Sequence, residues 1–224
     1  MLRLVPATSL LVILSAHPIC GAEYAYSQAP EAKVLEYRQF TTVPYYDGGA
    51  YGLTVHGDGR VVAFIHEHFS KKKLKSLGFE RITRRGEFET RMTPQRVAEV
   101  LTTFEPLFLF DEAALRTKQK SVPKSRTVTD GGEVVFAFDI EGYSAGGKKH
   151  GAIRHTVTWP NLSGDARLYP DLQEIQDLNK VNIEARKWVF TIAQEVSIAG
   201  DSNNSRGVAP ASGIASLQDA AADS

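Results

Sequence analysis

Residues 53–65, LTVHGDGRVVAFI, indicate the fold more directly than any other stretch of this 224-residue chain. The Asp-Gly pair in the middle has the turn chemistry of a two-residue β-hairpin, because Gly readily adopts the positive φ that such turns require. The apolar pattern on either side fits that turn and predicts two facing pairs on one side of a sheet: Leu53 with Phe64, and Val55 with Val62. Since the second strand is apolar on both faces, we expect it to lie inside the sheet.

Outward from this hairpin, the hydrophobic patterns predict further strands and two main helices. Thr93 and Pro94 are good N-cap and first-turn residues for a helix that ends near Phe104. Pro170 can open a second helix, whose apolar stripe begins at Leu172. Strands are predicted at 34–40, 133–141 and 152–159, a glycine-rich turn at 142–151, and an irregular polar segment at 69–91. This order predicts an α+β fold, with an antiparallel sheet in a ββαββα-like order packed against two main helices.

Residues 1–22 have the three parts of a secretory signal peptide. Arg3 gives a basic start, an apolar stretch follows, and small residues around Gly21 and Ala22 suit cleavage. The apolar stretch is shorter than the roughly 20 residues that span a bilayer. We therefore expect cleavage before Glu23 and a periplasmic or secreted protein that is not transmembrane, with an uncleaved N-terminal anchor as the alternative.

The mature chain is expected to be one domain with loose ends. Residues 23–33 are interpreted as a flexible lead-in, 34–199 as a single α+β domain, and 200–224 as a disordered tail without hydrophobic periodicity. Cys20 is the only cysteine, so cleavage leaves a chain that can form no disulfide. The fold would then depend on its hydrophobic core.

Charge is balanced overall and concentrated locally. The 26 Lys and Arg residues match the 26 Asp and Glu residues, which argues against nucleic acid as a partner. Residues 71–91, the basic segment, nevertheless hold eight Lys or Arg and three Glu. We interpret this segment as a contact surface for an anionic envelope component or a protein partner, with a solvated loop as the alternative. The candidate binding residues are Lys71, Lys72, Lys73, Lys75, Arg81, Arg84 and Arg85.

His66 and His68 are candidate metal ligands, because alternate residues of a strand point to one face and imidazole suits Zn²⁺. The predicted hairpin register places His56 on the opposite side of the sheet. His150 or His155 would then have to complete the site. The alternative interpretation is a pair of surface histidines at the end of a strand.

Two further motifs invite a catalytic interpretation and fail. Residues 142–146, GYSAG, match the nucleophile elbow of α/β-hydrolases, but the glycine-rich stretch after Ser144 cannot form the helix that this elbow needs. No acid lies between Ser144 and His155, so the required order of Ser, acid and His is not met. The second motif is a row of three carboxylates on one face of strand 133–141, namely Glu133, Asp139 and Glu141. Such a row is typical of a solvated sheet face.

The order of several motifs also carries a resemblance. These are a Tyr-containing strand, an Asp-Gly hairpin, a Thr-capped helix with an aromatic end, a Thr-Asp pair and a Leu-rich final helix, at Tyr51, Asp58-Gly59, 93–110, Thr129-Asp130 and 172–178. Together they resemble a family of secreted bacterial domains of unknown function, over roughly residues 34–180. Many members carry a Cys pair before the first hairpin strand, and residues 41–46 contain none. The resemblance therefore implies no redox or metal role and no catalytic residue.

The sequence favours an exported, non-catalytic binding or accessory protein of unknown ligand, without a cofactor. The motifs do not form a nucleophile–base pair, a phosphate-binding loop or a complete set of metal ligands. An enzyme is the less favoured class, and its best form is a small metal-dependent hydrolase using His66 and His68.

Overall fold

The computed structural model of the protein describes residues 23–40, 50–66, 71–76, 78–79, 81–82, 85–122 and 132–205. The strands are β1 (Glu23–Ala25), β2 (Lys33–Gln39), β3 (Tyr51–His56), β4 (Arg60–Ile65), β5 (Gly86–Arg91), β6 (Glu133–Ile140), β7 (Gly142–Ala145), β8 (Lys148–His150) and β9 (Ile153–Pro160). The α-helices are α1 (Lys71–Ser76), α2 (Pro94–Phe104), α3 (Glu112–Ser121), α4 (Leu162–Leu168) and α5 (Gln173–Ser205), and a 3₁₀ helix spans Glu105–Leu107.

In this described part of the chain the strands form two antiparallel sheets. The larger sheet has the order β5-β4-β3-β2-β6-β9, and the smaller sheet has the order β1-β7-β8. Helix α5 packs against β3, β4 and β5, and α2 packs against α5 on the same side. The predicted α+β class, with an antiparallel sheet packed against helices, is confirmed.

The chain contains more elements than the expected ββαββα-like order. Helix α1 and strand β5 lie within 69–91, which the sequence predicts to be irregular, and β7 and β8 lie within the predicted turn at 142–151. Strand β5 has one strong apolar anchor, because the fully buried Phe88 lies opposite Ala63 of β4. One buried aromatic side chain in a polar strand gives too weak a period-2 pattern to be recognised in the sequence.

The β3–β4 hairpin forms where the sequence predicts it, but the predicted register is wrong by one residue. Val55 lies opposite Val61, so the connecting loop is residues 57–59 rather than a two-residue turn. The last residue of this loop is a glycine with φ 79°, and three-residue loops with Gly in this region are the next most common hairpin connection. As a result Phe64 lies opposite Gly52, on the face of the sheet away from α5.

Helix α2 begins and ends where the sequence predicts. The Thr93 hydroxyl accepts a hydrogen bond from the backbone N–H of Arg96 at 3.3 Å, and Pro94 occupies the first turn. The helix ends at Phe104, and Pro106 follows in the 3₁₀ helix.

The hydrophobic core lies between the larger sheet and helices α2 and α5. A buried hydrogen bond of 2.8 Å, donated by the Tyr37 hydroxyl to Oδ1 of Asn182, joins the centre of the sheet to α5. The core contains many large side chains with almost no exposure, among them Leu35, Leu53, Phe88, Phe104, Phe136, Trp159 and Phe190.

The lead-in at 23–33, expected to be flexible, contains strand β1 and packs against the domain. Strand β1 pairs with β7, and the backbone N–H of Gly57 donates to the carbonyl of Ala32 at 3.0 Å. A Cβ on Gly57 would lie only 1.8 Å from the carbonyl oxygen of Ser27. This close approach explains why a glycine precedes the Asp-Gly pair of the hairpin loop.

Helix α5 has 33 residues and continues beyond residue 200 to Ser205. The first residues of the predicted tail are therefore helical, while 206–224 and the predicted signal peptide at 1–22 lie outside the described residues. Among the helices that the structure describes, none has the length and apolar character needed to cross a bilayer.

Candidate functional site

The candidate metal ligands are only partly within the described structure. His66 follows β4, with its ring 5.0 Å from that of Phe64, whereas His68 lies outside the described residues. The observed register corrects the prediction for His56, which lies on the same face as His66. His56 lies at the loop end of the β3–β4 hairpin and His66 at its open end, about 20 Å apart along the strands. Within the described ranges, no group of three or more His, Cys, Asp or Glu residues is placed to hold a metal ion.

The two other histidines considered as ligands make different contacts. His155 is half-buried, and its Nε2 lies 3.0 Å from the carbonyl oxygen of Leu107, to which it donates a hydrogen bond in the matching tautomer. His150 stacks on Tyr143 in the smaller sheet. His155 therefore joins the sheet to the 3₁₀ helix, and His150 belongs to a different surface.

The G-x-S-x-G sequence has no catalytic geometry. Ser144 lies in strand β7, and Gly146 and Gly147 turn the chain into β8 with φ values of 55° and 76°. No helix follows Ser144 before β8, so the nucleophile elbow is absent from this hairpin. The carboxylate of Asp139, one of the two acids on β6, pairs with Arg154 at 2.8 Å.

The basic segment is attached to the domain by apolar side chains. Leu74 on α1 and Ile82 are buried, and the Phe79 ring stacks on Phe190 of α5 at 5.4 Å between centroids. Because Leu74 faces inward, α1 presents Lys71, Lys72 and Lys75 to solvent. The described candidate side chains Lys71, Lys72, Lys75, Arg81 and Arg85 are all exposed, while Arg84 and the side chain of Lys73 lie outside the described part.

Arg91, the last residue of the basic segment, and Arg60 of the neighbouring strand β4 both form ion pairs. Arg91 pairs with Asp58 at 2.8 Å, and Arg60 pairs with Glu89 at 3.5 Å. Of the ion pairs formed between described residues, none includes the five exposed cations named above. Their positive charge is therefore presented to solvent on a segment that Leu74, Phe79 and Ile82 attach to the domain.

A second surface lies on the smaller sheet. Tyr24 of β1, Tyr143 of β7 and His150 of β8 lie opposite one another across the three strands. The Tyr143 ring is 4.3 Å from that of His150 and 6.3 Å from that of Tyr24, and both pairs are stacked. The edge of the Phe108 ring contacts Tyr143 at 5.2 Å, and the Tyr24 hydroxyl is 2.9 Å from the Thr102 hydroxyl. These contacts fix the small sheet against α2 and the turn that follows it.

Burial raises the pKa of both tyrosines on this side of the smaller sheet, Tyr24 and Tyr143, above the ordinary value. It raises the pKa of the Tyr24 hydroxyl to about 12, against a lowering by the hydrogen bond with Thr102. Burial also raises the pKa of Tyr143. Both tyrosines are therefore uncharged at physiological pH.

The other face of the smaller sheet carries a row of polar side chains. Glu23 lies opposite Ser144, and Ser144 lies opposite Lys149. An open cavity of about 300 Å³ is lined by this row, by Ala25 and Gly142, and by the intervening strand residues Tyr24, Tyr143 and His150. The sequence does not indicate this cavity, because residues 23–33 read as a lead-in and residues 142–151 as a turn. The only local signal is the pair of glycines between two short polar stretches, which is typical of a hairpin.

Comparison with models of protein families, with curated proteins and with solved structures finds no match for this chain. The resemblance to a family of secreted bacterial domains therefore stays a prediction. What the structure itself defines is an α+β protein with two exposed polar surfaces, the basic segment and the cavity on the smaller sheet.

Proposed function

We propose that the protein is exported and non-catalytic, and that its basic segment binds an anionic component of the cell envelope. The observation that carries this proposal is the fixed position of five exposed cations that form no ion pair with described residues. The protein as a whole has no net charge, so attraction to an anionic surface must come from this local concentration.

Anchoring makes the basic segment more effective than a mobile loop. The buried Leu74 and Ile82 and the stacked Phe79 hold the segment before binding, so less side-chain and backbone freedom is lost on contact. Each Lys or Arg close to an anionic lipid surface contributes about 1 kcal/mol, and the attraction weakens beyond a Debye length of roughly 8–10 Å. Binding should therefore be sensitive to salt and to the loss of a few lysines.

The test is co-sedimentation with vesicles that mix phosphatidylglycerol and phosphatidylcholine. The variant Lys71→Glu, Lys72→Glu, Lys75→Glu should lose most binding, whereas the wild-type protein binds and is released by salt. A matched control changes the exposed Lys120, Lys180 and Lys187 to Glu and should retain binding at the same net charge. Absence of wild-type binding, or equal loss in both triple variants, would show that the basic segment is only solvated.

Export is tested separately by native mass spectrometry of the protein secreted with its own leader. The expected mass corresponds to a chain that begins at Glu23, and a longer mass would contradict cleavage after Ala22. The same spectrum addresses the alternative of a metal-dependent hydrolase using His66 and His68. That alternative has no geometric support among the described residues, and a stoichiometric metal ion lost in a His66→Ala variant would revive it.

A further inference from the structure

We propose that the cavity on the smaller sheet binds a free amino acid in its zwitterionic form. The proposal rests on the row of Glu23, Ser144 and Lys149, which places a carboxylate, a hydroxyl and an ammonium side by side on three neighbouring strands. The two charged residues flank the hydroxyl and are opposite in sign. A ligand that carries one ammonium and one carboxylate complements this arrangement.

The spacing of the row sets the size of the ligand. Glu23 and Lys149 lie on the outer two strands, so their Cα atoms are separated by two interstrand spacings, about 10 Å. Side chains stand roughly perpendicular to a sheet, so their charged ends keep about this separation. A charge-assisted hydrogen bond at each end takes up about 2.8 Å. About 4 Å then remains between the ammonium and the carboxylate of the ligand, which is the dimension of a single amino acid.

Each group in the row has a distinct role in this arrangement. The Glu23 carboxylate accepts hydrogen bonds from the ligand ammonium, and the Lys149 ammonium donates to the ligand carboxylate. The Ser144 hydroxyl lies between them and donates to that same carboxylate. No described ion pair includes Glu23 or Lys149, so binding does not have to break one.

The shape of the cavity leaves room for the ligand's own side chain. Next to the row, Ala25 lies opposite Gly142, and neither carries a side chain beyond Cβ. A Cβ on Gly142 would already lie 3.2 Å from the carbonyl oxygen of His150. The volume of about 300 Å³ is at the lower end of the range of small-molecule sites, roughly 300–1,000 Å³. The stacked rings on the opposite face keep the three strands in register.

The experiment titrates the purified protein with glycine, L-alanine and L-leucine, observed by two-dimensional NMR of the backbone amides. N-acetyl-L-alanine, which has no ammonium, and L-alaninamide, which has no carboxylate, are the matched probes. We expect the amino acids to shift the amides of β1, β7 and β8, and each matched probe to bind about tenfold more weakly or worse, because each lacks one charge-assisted hydrogen bond.

Two substitutions assign the ends of the ligand. Glu23→Gln should weaken the binding of L-alanine and of L-alaninamide about tenfold, because both have the ammonium, and should leave the binding of N-acetyl-L-alanine unchanged. Lys149→Met should weaken the binding of L-alanine and of N-acetyl-L-alanine, because both have the carboxylate, and should leave the binding of L-alaninamide unchanged. Lys148→Met, on the same strand and the other face, is the control. The proposal is overturned if none of the three amino acids binds, if the matched probes bind as well as L-alanine, or if Lys148→Met weakens binding as much as Lys149→Met.

Failure of this proposal is distinguishable from failure of the envelope-binding proposal. The Glu23 and Lys149 variants are also measured with the phosphatidylglycerol vesicles, where they should behave as wild type. The N-terminus of each preparation is recorded by mass, because cleavage before Glu23 adds an ammonium to that residue.

Discussion

Gly52 is required by the packing of its neighbours rather than by its own backbone dihedral angles. A Cβ at this position would lie 2.4 Å from the carbonyl oxygen of Tyr37 and 2.5 Å from Cε1 of Phe64. The first of these atoms belongs to the backbone of β2, which is held between two strands and cannot move away cheaply. The Phe64 ring therefore lies over a glycine, and this fit favours the observed hairpin register over the predicted one.

Gly52→Ala should lower the free energy of unfolding by about 1–3 kcal/mol, which is the usual cost of forcing an extra carbon into a packed site. Urea denaturation followed by circular dichroism measures it. Gly151→Ala is the matched control, because a Cβ there meets nothing within 4 Å, and it should change stability by less than about 0.5 kcal/mol. Equal stabilities for the two variants would contradict the packing argument.

His56 should make stability depend on pH. Its burial, and next the charge of Arg60, lower the pKa of the imidazole in the folded state. The unfolded chain therefore binds a proton that the folded protein resists, so stability is full above the ordinary pKa of about 6.5 and falls as the pH drops toward the folded value.

The prediction for His56 is tested by comparing wild type with His56→Gln in urea at several pH values between neutral and mildly acidic. The variant lacks the titrating group, so its stability should fall less steeply with decreasing pH than that of the wild type. Parallel curves would show that His56 is protonated equally easily in both states. The control is Arg60→Met, which should reduce the wild-type slope only in part.

At the scale of elements, the sequence predicts those whose signals are local. The N-cap and apolar spacing define α2, and the Asp-Gly pair defines the existence of the β3–β4 hairpin. Strand β1 has only three residues and a partner far along the chain, so no local pattern marks it. The basic segment is likewise visible in composition, whereas the cavity exists only because β1, β7 and β8 come together.

The outer edge of β9 is covered by side chains of α3 at Thr158. Glu112 Oε2 accepts from the Thr158 N–H at 3.2 Å, and an Arg116 N–H donates to the Thr158 carbonyl at 3.0 Å. Arg116 also bonds to Glu112 at 2.8 Å, and its guanidinium lies 4.5 Å from the ring centroid of Trp159. Two side chains thus satisfy the outward-facing backbone groups of Thr158, which an unpaired edge strand would expose.

Arg116→Ala should lower the free energy of unfolding by about 1–2 kcal/mol, because it removes a cation–π contact and a hydrogen bond to the backbone. It should also raise the rate of self-association, since the β9 edge becomes accessible. Thermal denaturation and light scattering measure the two effects. The exposed Lys120 on the same helix provides the control, and a similar change in Lys120→Ala would refute the edge-covering role.

At the scale of the whole molecule, α5 is the element that holds the rest together. It is about 50 Å long at 1.5 Å per residue and contacts the larger sheet, α2 and α4. Near the middle of α5 the Trp188 Nε1–H donates to Thr103 of α2 at 3.0 Å, and two turns further on Glu195 pairs with Arg96 of α2 at 2.5 Å. These contacts join segments that are distant in sequence. The sequence therefore predicts the helix but not the elements that pack against it.

The hydrogen bond between Tyr37 of β2 and Asn182 of α5 is a buried polar contact between the larger sheet and α5. Tyr37 is fully buried and Asn182 is 6% exposed, so this hydrogen bond is shielded from bulk solvent. Tyr37→Phe or Asn182→Leu alone should cost about 1–3 kcal/mol, because each leaves a buried polar group without its partner. The double variant should cost less than the sum of the two, by about 1 kcal/mol or more, because the mismatch disappears when both polar groups are removed.

Chemical denaturation of the four proteins in this cycle measures the coupling. Tyr37→Phe combined with Lys120→Ala serves as the additive reference, since those residues share no described contact. If the Tyr37–Asn182 cycle is also additive, water must satisfy each group without the other. A non-additive cycle would instead mean that the sheet and α5 share a polar contact that is lost on unfolding. If the sheet and α5 unfold together, unfolding curves followed by circular dichroism and by tryptophan fluorescence should coincide. The fluorescence signal reports on both the sheet and the helix, because Trp159 lies on β9 and Trp188 lies on α5.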